Sequence, residues 1–237
     1  MSHSASIKEP TRHVPLFVVF DLDRTLIDTN AFVEVIWRAL PKLGMPGRDI
    51  EALKEEELSR RGEQFDLISE IAERVSKSHS KEQLAALLVE AAESWTIVYG
   101  EVAGLLGDLK QYDVPMAIMT YGGELSQQIK LQILAEDLKD EHLMPPVLIV
   151  DHNEKAKWID QNATIAREGG RIVPFELSGG DTIIADKIVI IDDKQPNLDV
   201  DADDIEGILI DNQSSSHEYG IKIGELTISQ LLRHGVS

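Results

Sequence analysis

The sequence predicts an α/β fold: a parallel sheet with a helical segment inserted after its first strand. Three observations predict it. The apolar run 16–20 ends abruptly in two carboxylates, Asp21 and Asp23. Residues 187–193, Lys-Ile-Val-Ile-Ile-Asp-Asp, repeat that pattern near the other end of the chain. Between them, residues 31–99 read as successive helices with no strand signal. Near-continuous apolar strands belong to parallel sheets buried on both faces. A purely helical stretch within such a chain is an insert rather than another α/β layer.

Residues 1–13 are polar, lack the apolar core of a signal peptide and are expected to be disordered. The first strand then delivers Asp21 and Asp23 to its carboxyl end, where ligands bind in open α/β sheets. Two acids one residue apart repel each other, and a bound cation or one shared proton relieves them. A helix over 29–40 places Phe32, Val35, Ile36 and Ala39 on one face, and Pro41, Gly44, Pro46 and Gly47 break it. Helices over 49–59, 65–76 and 80–94 follow. Ser80 is the expected N-cap of the last, with Gln83 at the reciprocal position.

A helix over 102–111 leads into a second apolar strand, 114–119, which ends in Thr120-Tyr121-Gly122-Gly123 before a helix over 124–134. A hydroxyl and glycines at a helix N-terminus suit an anion, because free N–H groups and the helix dipole favour phosphate. The same glycine pair also suits a plain turn. A third strand, 147–150, precedes a helix over 155–168 with Lys155 and Lys157 in its first turn. The dipole disfavours cations there, so these lysines are either solvated or held at the mouth of the sheet. Residues 171–177, bracketed by glycine pairs, read as a hairpin arm. Residues 205–210 read as a last strand and 226–233 as a closing helix, after an acidic, solvated stretch at 199–204.

Composition narrows the partners. The 237 residues suit one large domain, or a domain carrying a smaller inserted one, and 43% hydrophobic residues supply a core. A net charge of −19 argues against nucleic acid or an anionic membrane as the main partner. The absence of cysteine excludes disulfides, thiolate chemistry and Cys-ligated zinc. It fits a reducing cytosol, so a cytoplasmic location is expected. No apolar run approaches membrane-spanning length. Oligomeric state stays open: the apolar faces of the inserted helices suit packing within the insert or against a second subunit.

In order, the chain presents Phe-Asp-Leu-Asp-Arg-Thr-Leu, then Ile-Met-Thr, then a lysine, then Ile-Ile-Asp-Asp. This series resembles the haloacid dehalogenase (HAD) superfamily of phosphohydrolases, over residues 16–31 and 102–210. The resemblance implies a Rossmann-like parallel sheet core with an inserted α-helical cap domain. The tail would occupy 1–13, the catalytic core 14–30 and 100–237, and the cap 31–99. It also implies a Mg²⁺-dependent phosphatase that hydrolyses a small phosphorylated metabolite through an aspartyl-phosphate.

In that reading Asp21 is the nucleophile, already ionised and needing no activating base. Asp21 and Asp192 would offer side-chain oxygens to Mg²⁺, and Asp23 its backbone carbonyl. The Asp23 side chain would serve as general acid and then base, a task that requires a raised pKa. Thr120 and backbone N–H groups near Leu22 and Tyr121 would bind phosphoryl oxygens. Lys155 would pair with the phosphate and with Asp21. It is favoured over Lys157 because it lies closer to the helix start, with Ile159 one turn on. Asp193 and Asn197 would sit in or just beyond the metal's outer shell.

Many members of the superfamily have glycine where this chain has Arg24, whose side chain would reach the cap or the substrate, or point to solvent. Asp23 argues against dehalogenation, which needs no second carboxylate. A phosphotransferase or mutase shares every core residue. A catalytically silent binding or regulatory module would keep the fold without turnover. Trp37, Arg38, Arg60, Arg61 and Trp95 lie in or beside the cap, where aromatic residues at helical spacing are more often core than pocket lining, and Arg60-Arg61 reads as a solvated pair.

Overall fold

A computed structural model describes residues 12–60, 65–150, 154–166, 169–175, 182–213 and 220–234. The first strand, β1 (Arg12–Phe20), owes its apolar sequence to burial on both sides. Leu16, Val18 and Phe20 join one hydrophobic cluster, while Phe17 and Val19 join another on the opposite face. A strand alternates its side chains, so a run without polar residues needs a layer over each face. β1 starts earlier than its apolar run. Arg12 and His13, expected in a disordered tail, pair with Ile183 and Ile184 of the long strand β6 (Ile183–Asp192). Their side chains bind Asp113 and Asp186 at the sheet's rim, which lets polar residues end a buried strand. Residues 1–11 lie outside the described residues.

β2 (Met116–Tyr121) pairs with β1 on its other side, and β3 (Val147–Val150) pairs with β2, all parallel. β7 (Ile205–Leu209) runs parallel beside the carboxyl half of β6. The short strands β4 (Thr164–Ile165) and β5 (Arg171–Ile172) pair antiparallel beside its amino half. The carboxyl ends of β1, β2 and β6 therefore meet at the centre of the sheet, carrying Asp21, Thr120 with Tyr121, and Asp192.

Four helices fill the stretch after β1: α1 (Thr29–Ala39), α2 (Gly47–Ser59), α3 (Leu67–Val75) and α4 (Lys81–Ala92). Their starts are written in the sequence. Asp28 and Asp66 accept hydrogen bonds from the first-turn N–H groups of α1 and α3, and Ser80 and Gln83 form a full capping box on α4. The buried faces of these helices join the cluster that also holds α5 (Val102–Gln111), α6 (Glu124–Leu138) and the last helix of the chain, residues 228–234. The opposite face of the sheet is covered by α7 (Lys155–Asn162) and α8 (Gln195–Leu198), through Ala156, Ile159 and Leu198.

The helix expected over 155–168 stops at Asn162. Thr164 and Ile165, both β-branched, enter the antiparallel arm instead, where strand pairing suits their restricted side chains. The part of the expected arm at 176–177 lies outside the described residues. Among those that are described, no helix is long and apolar enough to cross a membrane.

Candidate active site

Two strand ends and one helix build the first half of the site. Asp21 follows β1, Asp192 ends β6, and Lys155 opens α7 from across the sheet. All three are buried. The Lys155 ammonium donates to Asp21, and to Asp192 Oδ2 at 2.6 Å. Asp192 Oδ1 accepts from the Lys194 N–H and from Asn197 Nδ2, each at 2.9 Å. Lys157 takes no part: it is exposed and pairs with Glu154. Of the two candidate lysines, geometry selects Lys155.

One ammonium between two buried carboxylates cannot fully compensate both. Burial pushes Asp21 up to about 7, against the pull of Lys155 and with help from the charges of Asp192 and Asp23. Burial would lower Lys155, but Asp21 and Asp192 together hold it above its ordinary value, so the lysine keeps its charge. Burial also raises Asp193. One oxygen from each of Asp21, Asp192 and Asp193 lies within 4.8 Å of the others, a set of hard donors suited to a divalent cation. Asp193, expected in or just beyond the outer shell of a metal, stands in this set.

Asp23 lies two residues from Asp21 in a different environment. Its carboxylate accepts from Lys130 Nζ at 2.7 and 2.9 Å, from Thr29 Oγ1 at 2.7 Å and from Gln127 Nε2 at 3.2 Å. Burial works upward on this group, but Lys130 and the hydrogen bonds outweigh it and hold Asp23 below the usual carboxylate range. This corrects the expectation of a raised value. Nothing in the local sequence announces the cause, because Lys130 arrives from α6, more than a hundred residues away.

Gln127 joins the two halves. Its Oε1 accepts from Thr120 Oγ1 at 3.1 Å, while its Nε2 donates to Asp23 and to the Tyr121 carbonyl at 3.2 Å. This return of the side chain over the helix start requires glycine at 122, where φ is +144° and a Cβ would fall 2.5 Å from Gln127 Nε2. Thr120 is fully buried, Tyr121 half-buried, and the Leu22 side chain lies in the core.

Gln127, Lys130 and Thr29 were not among the residues singled out in the sequence. The available signal was a pair of polar residues three apart within the buried stripe of α6, beside Ile129 and Ile133.

Arg24 sits in the turn after Asp23 with φ +61°, a conformation that glycine adopts freely and other residues adopt at a cost. Glycine would take this turn without that cost. Here Asn212 Nδ2 donates to the Arg24 carbonyl at 2.8 Å, and the guanidinium lies 3.6 Å from Asp193. The side chain is about half exposed to solvent and leans toward one of the clustered carboxylates.

Over the outer side of this network lies a cavity of about 620 Å³. Its floor is the turn at Tyr121, Gly122 and Gly123 with the first face of α6, and its roof comes from α1 and the start of α3. Asp66, which caps α3, rests its carboxylate against Gly123 so closely that a Cβ there would fall 1.7 Å from Oδ2.

No family model and no curated protein matches the sequence. Solved structures do match over nearly the full length. A HAD-like hydrolase from Burkholderia xenovorans LB400 is 19% identical, with a TM-score of 0.55 over 92% of this chain and 98% of that one. A HAD phosphatase from Thermococcus onnurineus is 17% identical, with a TM-score of 0.56 over 91% and 96%. This chain has the HAD-like fold. CbbY from Rhodobacter sphaeroides, solved in complex with phosphate, shares that fold at 12% identity, with a TM-score of 0.51 over 91% of this chain and 98% of that one. In the HAD-like frame, the strand-end carboxylates and Lys155 occupy the carboxyl edge of the parallel sheet, where open α/β sheets bind ligands.

Proposed function

We propose that this chain is a Mg²⁺-dependent phosphatase that hydrolyses a small phosphorylated metabolite through an aspartyl-phosphate on Asp21. One observation carries the reading: Lys155 is buried between Asp21 and Asp192 at the ends of two adjacent parallel strands, with Asp193 completing a three-carboxylate cluster. Residues 31–99, in this proposal, act as the cap domain over the site.

Among the described residues, Asp21 and Asp192 share Lys155, Asp23 pairs with Lys130, and the charges of Lys194 and Arg24 act on Asp193. Asp21, raised to about 7 in the metal-free chain rather than fully ionised as expected, and the single lysine it shares with Asp192 suit a divalent ion held by Asp21, Asp192 and the Asp23 carbonyl, with Asp193 and Asn197 beside it. Such an ion supplies charge neutralisation for the phosphoryl group.

The chain's own groups then divide the work. Asp21 attacks phosphorus and takes the phosphoryl group as the P–O bond to the alcohol breaks. Lys155, with the Thr120 hydroxyl and N–H groups near Leu22 and Tyr121, holds the phosphoryl oxygens and their developing charge. Asp23 gives a proton to the departing oxygen, then takes one from the water that cleaves the acyl phosphate. Lys130 keeps Asp23 ionised in the free chain, and an anionic ester placed beside it raises its proton affinity, as a like charge does.

The test is phosphate release from a panel of phosphomonoesters, with and without Mg²⁺. Turnover is expected with Mg²⁺, absent in EDTA and absent in Asp21→Asn. Equal rates for wild type and Asp21→Asn, or indifference to EDTA, would sink the mechanism.

A further inference from the structure

We infer that the substrate is the monophosphate of an uncharged alcohol with an apolar body, and that Val33 and Phe65 select that body. The inference rests on the phosphatase reading above and goes beyond it to the part of the substrate that leaves.

The cavity over the site is where the leaving group belongs. Thr29, Gln127 and Lys130 line it, and the same three side chains bind the carboxylate of Asp23, the group assigned to the departing oxygen. Whatever Asp23 protonates therefore lies against this wall. The volume of about 620 Å³ is that of a small-molecule site rather than a slot for phosphate alone.

The roof is apolar. α1 presents Phe32, Val33 and Ile36, and the start of α3 adds Phe65, Leu67 and Ile68. Phe32, Ile36 and Ile68 are almost wholly buried in the core, whereas Val33 and Phe65 keep part of their surface open. The charged groups are engaged with the protein itself. Lys130 pairs with Asp23 and lies 5.5 Å from the centre of the Phe32 ring. Arg60 lies 4.8 Å from the centre of the Phe65 ring and 3.6 Å from Glu56. Asp66 accepts from the Ile68 and Ser69 N–H groups and from the Ser69 hydroxyl.

These contacts separate substrate classes. A second phosphate entering the cavity would meet the carboxylates of Glu57 and Asp66, and would compete with carboxylates for both cations. A sugar would find Tyr121 and Ser126 on the floor, but at the wall beside Asp23 the Thr29, Gln127 and Lys130 side chains already hold Asp23, and Asp66 holds α3. An apolar body needs none of these groups and removes the exposed surface of Val33 and Phe65 from water.

The experiment compares two alkyl monophosphates of similar intrinsic reactivity, 2-phenylethyl phosphate and glucose 6-phosphate, together with hexanediol bisphosphate, in Mg²⁺. Acetyl phosphate serves as a phosphoryl donor with almost no body. For the full chain, kcat/KM is expected to favour 2-phenylethyl phosphate over glucose 6-phosphate by about tenfold or more. Phe65→Ala and Val33→Thr are each expected to shrink that ratio several-fold. Val33→Thr keeps the shape of the side chain, so the ratio stays measurable if Phe65→Ala fails to fold. Hydrolysis of acetyl phosphate combined with preference for the sugar or the bisphosphate overturns this inference and leaves the phosphatase reading standing. So does a ratio that neither variant moves. No release from any of the four compounds overturns both.

Discussion

Asp21 and Asp23 leave the same strand two residues apart, and their surroundings drive them in opposite directions. Asp21 shares one lysine with a second buried carboxylate and is raised to about 7. Asp23 has Lys130 to itself, with Thr29 and Gln127 in support, and is lowered. Burial acts upward on both, so it does not distinguish them. The ratio of cations to carboxylates does. The Asp21 side lacks positive charge and is built to receive it, while the Asp23 side is complete within the protein.

Chemistry gives the largest contrast. Asp21→Asn is expected to abolish turnover on every ester. Asp23→Asn is expected to slow an alkyl monophosphate by about 100- to 10,000-fold, the usual range for a lost general acid. It should slow p-nitrophenyl phosphate far less, because that leaving group departs without a proton. Equal losses on the two esters would remove Asp23 from the departing oxygen.

Stability comes next. Removing one partner from a buried ion pair leaves a charge uncompensated. Lys155→Met, which strands two carboxylates, is expected to cost about 3–5 kcal/mol in urea unfolding of the metal-free chain. Lys130→Met should cost less, about 1–3 kcal/mol, since Thr29 and Gln127 still bind Asp23. The reverse order would break the comparison.

The pH dependence follows from the two directions. Asp21 is raised from 3.8 to about 7, so its contribution to stability is present below 3.8 and is lost as pH rises through 7. Asp23 is lowered, so its contribution is present above 3.8 and is lost only as pH falls through its lower folded value. In EDTA, the part of the stability that Asp21→Asn removes from the pH profile should decline between about pH 4 and 7, and Mg²⁺ should flatten that decline. A wild-type profile identical to that of Asp21→Asn would contradict the Asp21 assignment.

Arg24 gives the smallest effect. Its guanidinium opposes a cation at Asp193, half exposed and screened by salt. Arg24→Gly, measured by calorimetric titration of Mg²⁺ into the stripped chain, should tighten binding by about three- to tenfold. Weaker binding would mean that Arg24 orders Asp193 rather than competing for it.

The parts of this site that the sequence revealed are those where a strand stops. Asp21, Thr120 and Asp192 each follow a continuous apolar run, with Asp23 one residue beyond the first, and the first polar residue after such a run marks the carboxyl end of the strand. Lys155 was visible because a lysine in the first turn of a helix runs against the dipole. Gln127 and Lys130 were not, because a helix is expected to carry some polar residues and one sequence does not say which of them turn inward. The direction of the Asp23 shift went wrong for the same reason. Its motif was local, but the ammonium that decides its charge came from another layer of the fold. The strand β4 took the place of the end of a predicted helix because pairing with β5 was available, a fact of topology rather than of propensity.

The contact between Asp66 and Gly123 makes the height of the cavity a property of one hydrogen atom. The carboxylate that starts α3 rests on the turn that starts α6, so the helical roof and the glycine floor share a hinge pin without side-chain thickness. A methyl group at 123 would act as a wedge. Either Asp66 lets go of the α3 N–H groups, or the roof tilts away from Asp23 and widens the space where a leaving group is gripped. The choice of glycine there sets how much substrate the site can close upon.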